Sequence, residues 1–299
     1  MNHLARLLAP FALAACATSG RPAEQPLAHP VEHTVNAADG TRIVYDVRGY
    51  APRAGKTTLV FVHCWAGSRA FWKDELDRFA DRYTVIALDL PGHGASGDRA
   101  PEHALAALGA DVATVVNDAR VERVILIGHS MGGPVSLDAA ARLPGKVIGV
   151  IGIDTLHDAD RKLPKDAIEG LANGFEQDFD GMLEQALGAM LPADGDPAAR
   201  EWIAAEVRRA HRAPVIALLR AFVDVDLPAL MRGARVPVRC INKTPLSSQD
   251  IDTAVDTNRK YCDFDVVKME GVGHYPMIEQ PEEFHAVLEQ VVTELDRRP

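Results

Sequence analysis

The chain has 299 residues, a formal net charge of -10, and 47% hydrophobic and 25% charged residues. That length and balance exclude wholesale disorder and suit one large domain or two modest ones. The acidic excess argues against a nucleic-acid surface, which needs basic patches to displace counterions. No apolar run approaches the roughly 18 residues of a membrane-spanning helix.

In chain order, the first segment is MNHLARLLAPFALAACATSG, with Arg6 ahead of an apolar run from Leu7 to Ala15. This reads as an export signal. Its end, Leu13-Ala14-Ala15-Cys16, resembles a bacterial lipobox. That resemblance implies a signal peptide over 1–16 and lipidation of Cys16, with the mature protein on the periplasmic side of the envelope. Ala17 after the cysteine implies the outer membrane. Residues 17–30 read as a flexible tether reaching about 20 Å, so the membrane contact expected is the lipid anchor alone.

Val31 to Val35 and Thr41 to Val47 then flank Asp39-Gly40, a hairpin signal. Thr58 to Val62 is a short β-rich run, followed by an amphipathic helix over 69–81. Strands over 83–90, 123–127 and 146–154 alternate with helices over 105–119 and 131–142. The runs VILIG and VIGVIGI lack polar alternation, as parallel strands buried on both faces do. From 155 to 235 the sequence is Ala-rich and helical, punctuated by Pro164, Pro192, Pro197, Pro214 and Pro228. A strand over 236–241 follows and leaves into a loop at Asn242. Next come a helix over 248–261, a strand over 264–269 and a final helix from Pro281. The alternation predicts an α/β core over 31–154 and 236–299, with a helical cap over 155–235 inserted after the sixth strand.

Beyond Cys16, three cysteines remain: Cys64, Cys240 and Cys262. Cys240 and Cys262 lie on or beside consecutive strands; they either pair or pack as small hydrophobes. No CxxC, HExxH or dense His/Asp cluster points to a metal, and no cofactor is expected.

The chemistry concentrates in ILIGHSMGG, residues 125–133, where Gly128-x-Ser130-x-Gly132 lies between a strand and a helix. A sharp strand-to-helix turn lifts the serine hydroxyl to the sheet edge, and the glycines let the backbones approach. HCWAGS at 63–68, DLPGHGASG at 89–97 and GVGHYPMIEQPEEF at 271–284 accompany it. With these four ordered motifs the chain resembles the α/β-hydrolases over almost its whole mature length. The resemblance implies a mostly parallel eight-stranded sheet with helices on both faces. It also implies Ser130 as nucleophile, His274 as base, and an oxyanion hole from the N–H groups of Met131 and Trp65. Cys64 stands where the family most often has glycine, and nothing nearby marks it as a second nucleophile. By the family pattern His63, His93 and His129 are structural. His157 and His211 fall in the insertion, as pocket-lining or surface histidines.

The acid is the open element. In many relatives it follows the seventh strand, but here that place reads Asn242-Lys243-Thr244-Pro245. Asp250 and Asp252 are nearest, yet Ser247-x-x-Asp250 has the form of a helix start, which explains acids there. The preferred candidate is Asp154 at the tip of the sixth strand, where some family members carry the acid. Asp250 and Asp252 stand as alternatives. A serine at the elbow excludes the Asp-dependent dehalogenases and epoxide hydrolases of the family. The expected activity is acyl transfer to water, a carboxylesterase acting on a small acyl substrate. Carbon–carbon bond hydrolysis, perhydrolysis and a silent binding protein are the alternatives.

Overall fold

In the computed structural model the described residues are 27–51, 56–99, 104–162, 164–244 and 251–298. Cys16, the rest of the export signal, most of the tether and Asp250 therefore lie outside them. Eight strands form one sheet: β1 (Leu27–Asn36), β2 (Arg42–Gly49), β3 (Thr58–Val62), β4 (Thr84–Asp89), β5 (Val124–His129), β6 (Val147–Ile153), β7 (Val238–Thr244) and β8 (Phe264–Glu270). Their order is β1-β2-β4-β3-β5-β6-β7-β8. The β1–β2 and β2–β4 pairs are antiparallel and the rest are parallel, so the sheet is mostly parallel, as the alternation predicts.

The fully buried strands explain the missing polar alternation. Along β3, Val60 and Val62 enter one apolar core while Leu59 and Phe61 enter the other. The first core is closed by α2 (Ala104–Asp118) and α3 (Gly132–Arg142), the second by α1 (Lys73–Phe79) and α11 (Pro281–Asp296). Each aliphatic side chain so buried contributes about 1.5–3 kcal/mol of transfer free energy, so a polar residue at either set of positions would be costly.

Between β6 and β7 the described chain is helical: α4 (Lys165–Gln177), α5 (Phe179–Met190), α6 (Pro197–Arg208), α7 (Arg212–Ala221) and α8 (Leu227–Ala234). Asp178, Asp196 and Asp226 cap α5, α6 and α8 by accepting main-chain N–H bonds, and Pro197 and Pro228 sit in first turns. Phe175, Phe179, Leu183, Leu187, Ile203 and Val207 continue the second core upward without a break. The last helix, α8, instead packs down on α3 with Met231 and Ala234 in the first core.

Four boundaries differ from expectation. β1 starts at Leu27, not Val31, so the end of the expected tether is strand; an irregularity between Leu27 and Val31 separates the two parts. The helix expected over 69–81 divides into a 3-10 turn, Arg69–Trp72, started by Ser68 accepting from Ala70, and then α1. The strand expected over 236–241 runs from Val238 to Thr244, because Asn242, Lys243 and Thr244 pair with Lys268, Met269 and Glu270 of β8. The next helix, α9, is Ile251–Asn258 rather than 248–261, the Ser247–Asp250 start lying outside the described residues. α10 (Pro276–Glu279) is a single turn ahead of α11.

Candidate active site

Ser130 leaves β5 with φ of 51°, in the left-handed region, and α3 begins two residues later. A residue other than glycine held there costs about 1–3 kcal/mol, so the surroundings must impose it. Ser130 N–H donates to Ile153 O on β6 at 3.0 Å, and Ser130 O accepts from Gly133 N–H at 2.9 Å and from the Thr155 hydroxyl at 2.7 Å. A Cβ at Gly128 would stand 2.1 Å from Gly132 O, and one at Gly132 would stand 2.4 Å from Val62 O. The glycines two residues either side of Ser130 are therefore steric requirements of the elbow.

One strand away, Asp154 also has positive φ, 42°, and is 2% exposed. Its N–H donates to Ile241 O at 2.9 Å, which fixes it at the tip of β6. Its Oδ2 lies 2.5 Å from His274 Nδ1. Burial alone would raise the Asp154 carboxyl, but the His274 hydrogen bond and the charges of His274, His157 and Lys243 outweigh it and hold it below the ordinary value. The structure thus brings Asp154, and not Asp252, to His274. Asp252 is exposed and pairs with Lys268 at 2.7 Å.

The His274 loop is held from three sides. His274 N–H donates to Met190 O at the end of α5 at 2.9 Å, and His129 Nε2–H donates to His274 O at 2.7 Å. Glu279 accepts from both flanking N–H groups, Gly273 at 2.6 Å and Tyr275 at 2.7 Å. His129 neighbours Ser130 in the chain, so one hydrogen bond ties the Ser130 segment to that of His274. Among the described residues no hydrogen bond joins Ser130 Oγ to His274 Nε2. Such bonds commonly tighten only when substrate is bound.

Two neutral imidazoles hold the loop over residues 63–68. Leu90 N–H donates to His63 Nε2 at 3.0 Å, so His63 Nδ1 carries the proton and donates to Cys64 O at 2.7 Å. Ala66 N–H donates to His93 Nε2 at 3.2 Å, and His93 Nδ1–H donates to Pro91 O at 3.0 Å. Burial pushes His63 down to about 4, and His93 and His129 down to about 3. Among the described residues the main-chain N–H groups of Met131 and Trp65 have no hydrogen-bond partner, as donors reserved for an oxyanion would.

Cys64 is accommodated because Gly67 has no side chain: a Cβ there would stand 2.9 Å from its Sγ. Burial pushes the thiol up to about 12, so it is no thiolate nucleophile at neutral pH. Cys240 and Cys262 are both free. Trp65 Nε1–H donates to Val215 O of α7 at 2.6 Å, and its ring packs against Phe175 and Phe179 at 4.9 and 6.5 Å. Among the other large apolar side chains of residues 155–235, Met182 and Phe222 are partly buried, whereas Met190 and Trp202 are 37% exposed. His211 pairs with Asp98 away from the site, whereas His157 reaches Asp154.

Two cavities flank this centre without including Ser130. One, about 470 Å³, lies between Ser68–Ala70 and Glu206, Arg209 and Ala210. The other, about 650 Å³, lies between the α5–α6 connection and Gly271, Glu279 and Gln280. No metal-ligating cluster and no membrane-spanning helix occurs among the described residues.

Sheet, elbow and His–Asp pair define the class. The chain belongs to the alpha/beta hydrolase family, whose profile matches residues 59–287. It is 26% identical over 241 residues to the pimeloyl-(acyl-carrier protein) methyl ester esterase of Yersinia enterocolitica, covering 77% of this chain and 91% of that protein. It is 39% identical over 112 residues to the dihydrolipoyllysine-residue acetyltransferase component of the acetoin cleaving system of Cupriavidus necator, 38% of this chain and only 29% of that protein. An esterase from Exiguobacterium antarcticum superposes with a TM-score of 0.78 at 19% identity, over 87% of this chain and 98% of that one, a likeness of fold.

Proposed function

We propose that the chain hydrolyses a carboxylic ester of a small molecule through an acyl-enzyme on Ser130. The observation that carries this reading is the 2.5 Å contact of Asp154 Oδ2 with His274 Nδ1, on the sheet edge where Ser130 sits at positive φ. With Nδ1–H held by the carboxylate, Nε2 is left unprotonated to act as the base. Ser130 Oγ attacks the carbonyl carbon and gives its proton to His274. The oxyanion takes hydrogen bonds from the Met131 and Trp65 N–H groups. Collapse expels the alcohol, protonated by His274. Water then attacks the acyl-enzyme by the same route and releases the acid. The methyl ester esterase among the relatives supports this reading.

A fluorophosphonate probe tests it. Wild type should label and Ser130→Ala should not. A folded wild type that takes no label would instead mark a silent member of the fold.

Lipidated export at Cys16 remains part of the proposal. Cys16→Ser should abolish metabolic fatty-acid labelling and free the protein from the membrane fraction; unchanged labelling would refute it.

A further inference from the structure

Asp154 has two carboxylate oxygens, and His274 takes only one. Beside the carboxylate stand two residues that the proposed reaction leaves unused. His157 Nε2 is 3.6 Å from Asp154 Oδ1, and Lys243 N–H donates to the same oxygen at 3.4 Å. Lys243 Nζ stands 3.8 Å from Oδ2.

The proton on His157 can be located. Thr155 N–H is a donor and faces Asn242 Oδ1 at 3.1 Å, so the other arm of that amide is Nδ2. Nδ2 donates to Thr155 O at 3.0 Å and approaches His157 Nδ1 at 3.2 Å. His157 Nδ1 is therefore an acceptor, and in the neutral ring the proton sits on Nε2, the nitrogen nearest Asp154. Burial keeps this ring below the ordinary histidine value, which favours the neutral form.

We infer that His157, fixed as its Nε2–H tautomer by Asn242, and Lys243, through its main-chain N–H at Oδ1 and its ammonium beside Oδ2, are positioning residues that hold Asp154 in place against His274. The inference rests on the proposed triad. It explains why the tip of β7 can lack an acid: Asn242 and Lys243 serve the acid on β6 instead. Neither residue touches substrate. They keep the carboxylate ionised and stop it from rotating away from His274 Nδ1.

Among the described residues, the ionisable groups facing the Asp154–His274 pair are His157 beyond β6, Cys240 and Lys243 on β7, His129 on β5, Tyr275 beside His274 and Glu279 on α10. Lys243 is the one amine among them. Removing it makes the pocket more negative and favours a protonated imidazole.

The test uses the full chain, p-nitrophenyl butyrate as probe ester, thermal melting and pH profiles. His157→Leu should lower kcat several-fold, up to roughly 10-fold, with little change in KM, the size of a polar contact at 3.6 Å rather than of a full hydrogen bond. His157→Gln, whose amide can present an N–H, should recover most of that loss. Lys243→Met should move the acid limb of kcat/KM to higher pH by roughly half a unit or more, and Lys243→Arg should leave the limb in place. If His157→Leu does not melt cooperatively, His157→Ala replaces it, since the side chain is 33% exposed. Wild-type kcat in the folded His157 variant, or an acid limb unmoved in Lys243→Met, overturns the inference. Near-normal turnover in Asp154→Asn would instead remove the triad on which it rests.

Discussion

Asn242 and Thr155 bind each other twice across the tips of β7 and β6. Thr155 N–H donates to Asn242 Oδ1 at 3.1 Å, and Asn242 Nδ2 donates to Thr155 O at 3.0 Å. The Thr155 hydroxyl meanwhile donates to Ser130 O at 2.7 Å. One residue thus connects the elbow, the turn after Asp154 and the strand where an acid is missing. Asn242 is 2% exposed, so Asn242→Leu would strand both Thr155 main-chain groups without water. The expected cost is about 2–4 kcal/mol, read as a lower urea midpoint at unchanged slope. A stability within about 0.5 kcal/mol of wild type would show that the exchange carries little weight.

The choice of acid gives a second prediction. Asp154→Asn keeps the volume and removes the charge that fixes the His274 tautomer. Its kcat should fall by on the order of 10⁴-fold. Asp252→Asn, altering an exposed pair with Lys268, should stay close to wild type. Steady-state ester hydrolysis by the two variants checks both, and the reverse pattern would refute the assignment.

Much of this site is legible along the chain because its signals are local. GHSMG carries the steric needs of the elbow within five residues, and Asp154 announces itself by ending an apolar strand. What is not legible depends on neighbours distant in sequence. Pairing of Ile153 with Ile241 sets Asn242 beside Thr155, and nothing within NKTP alone shows that its amide faces another strand. His157 follows Asp154 by three residues, a spacing that could have drawn notice, but its tautomer is decided by Asn242. The extension of β7 to Thr244 was hidden for the same reason: β8 imposes it through Asn242 and Lys243, residues of low strand propensity.

Acid should destabilise the fold early, through histidines and not only through carboxylates. His63 is lowered from 6.5 to about 4, and His93 and His129 from 6.5 to about 3. A lowered folded value means that the unfolded chain binds more protons throughout the window between the two values. Their stabilisation is therefore full above about pH 6.5 and is lost as pH falls toward 4 and 3. Each can contribute a slope of up to about 1.4 kcal/mol per pH unit. Glu75, Asp111 and Glu279, raised by burial, act in the opposite sense, so the test is differential. Urea stability between pH 7 and 5.5 should fall less steeply in His63→Gln than in wild type. Parallel slopes would be the failing outcome.

Trp65 joins the expected oxyanion loop to α7 and α4 through its 2.6 Å bond to Val215 O and its packing on Phe175. Trp65→Phe keeps most of the ring contact and removes the donor. Stability should drop by about 1 kcal/mol. Turnover should fall several-fold if the bond steadies the Trp65 N–H for the oxyanion, since misplacing one such donor costs up to about 10²–10³-fold. A variant that loses stability while keeping wild-type kcat would confine Trp65 to anchoring α7.

Glu279 grips the main chain on both sides of His274, at 2.6 Å through Gly273 and 2.7 Å through Tyr275. Burial raises its carboxyl, while the two N–H bonds act to keep it ionised. In Glu279→Gln the amide can satisfy at most one N–H with its oxygen, and its NH₂ group opposes the other donor. The histidine is still held by Met190 O and by His129, so the loop should loosen rather than unfold. Loss of one charge-assisted bond predicts a kcat lower by roughly 10- to 100-fold, with KM nearly unchanged because Glu279 does not face the substrate carbonyl in the proposed reaction. Fluorophosphonate labelling should slow by the same factor, since it needs the same placement of His274 against Ser130. Labelling at the wild-type rate beside a depressed kcat would locate the defect in a later step and argue against the gripping role.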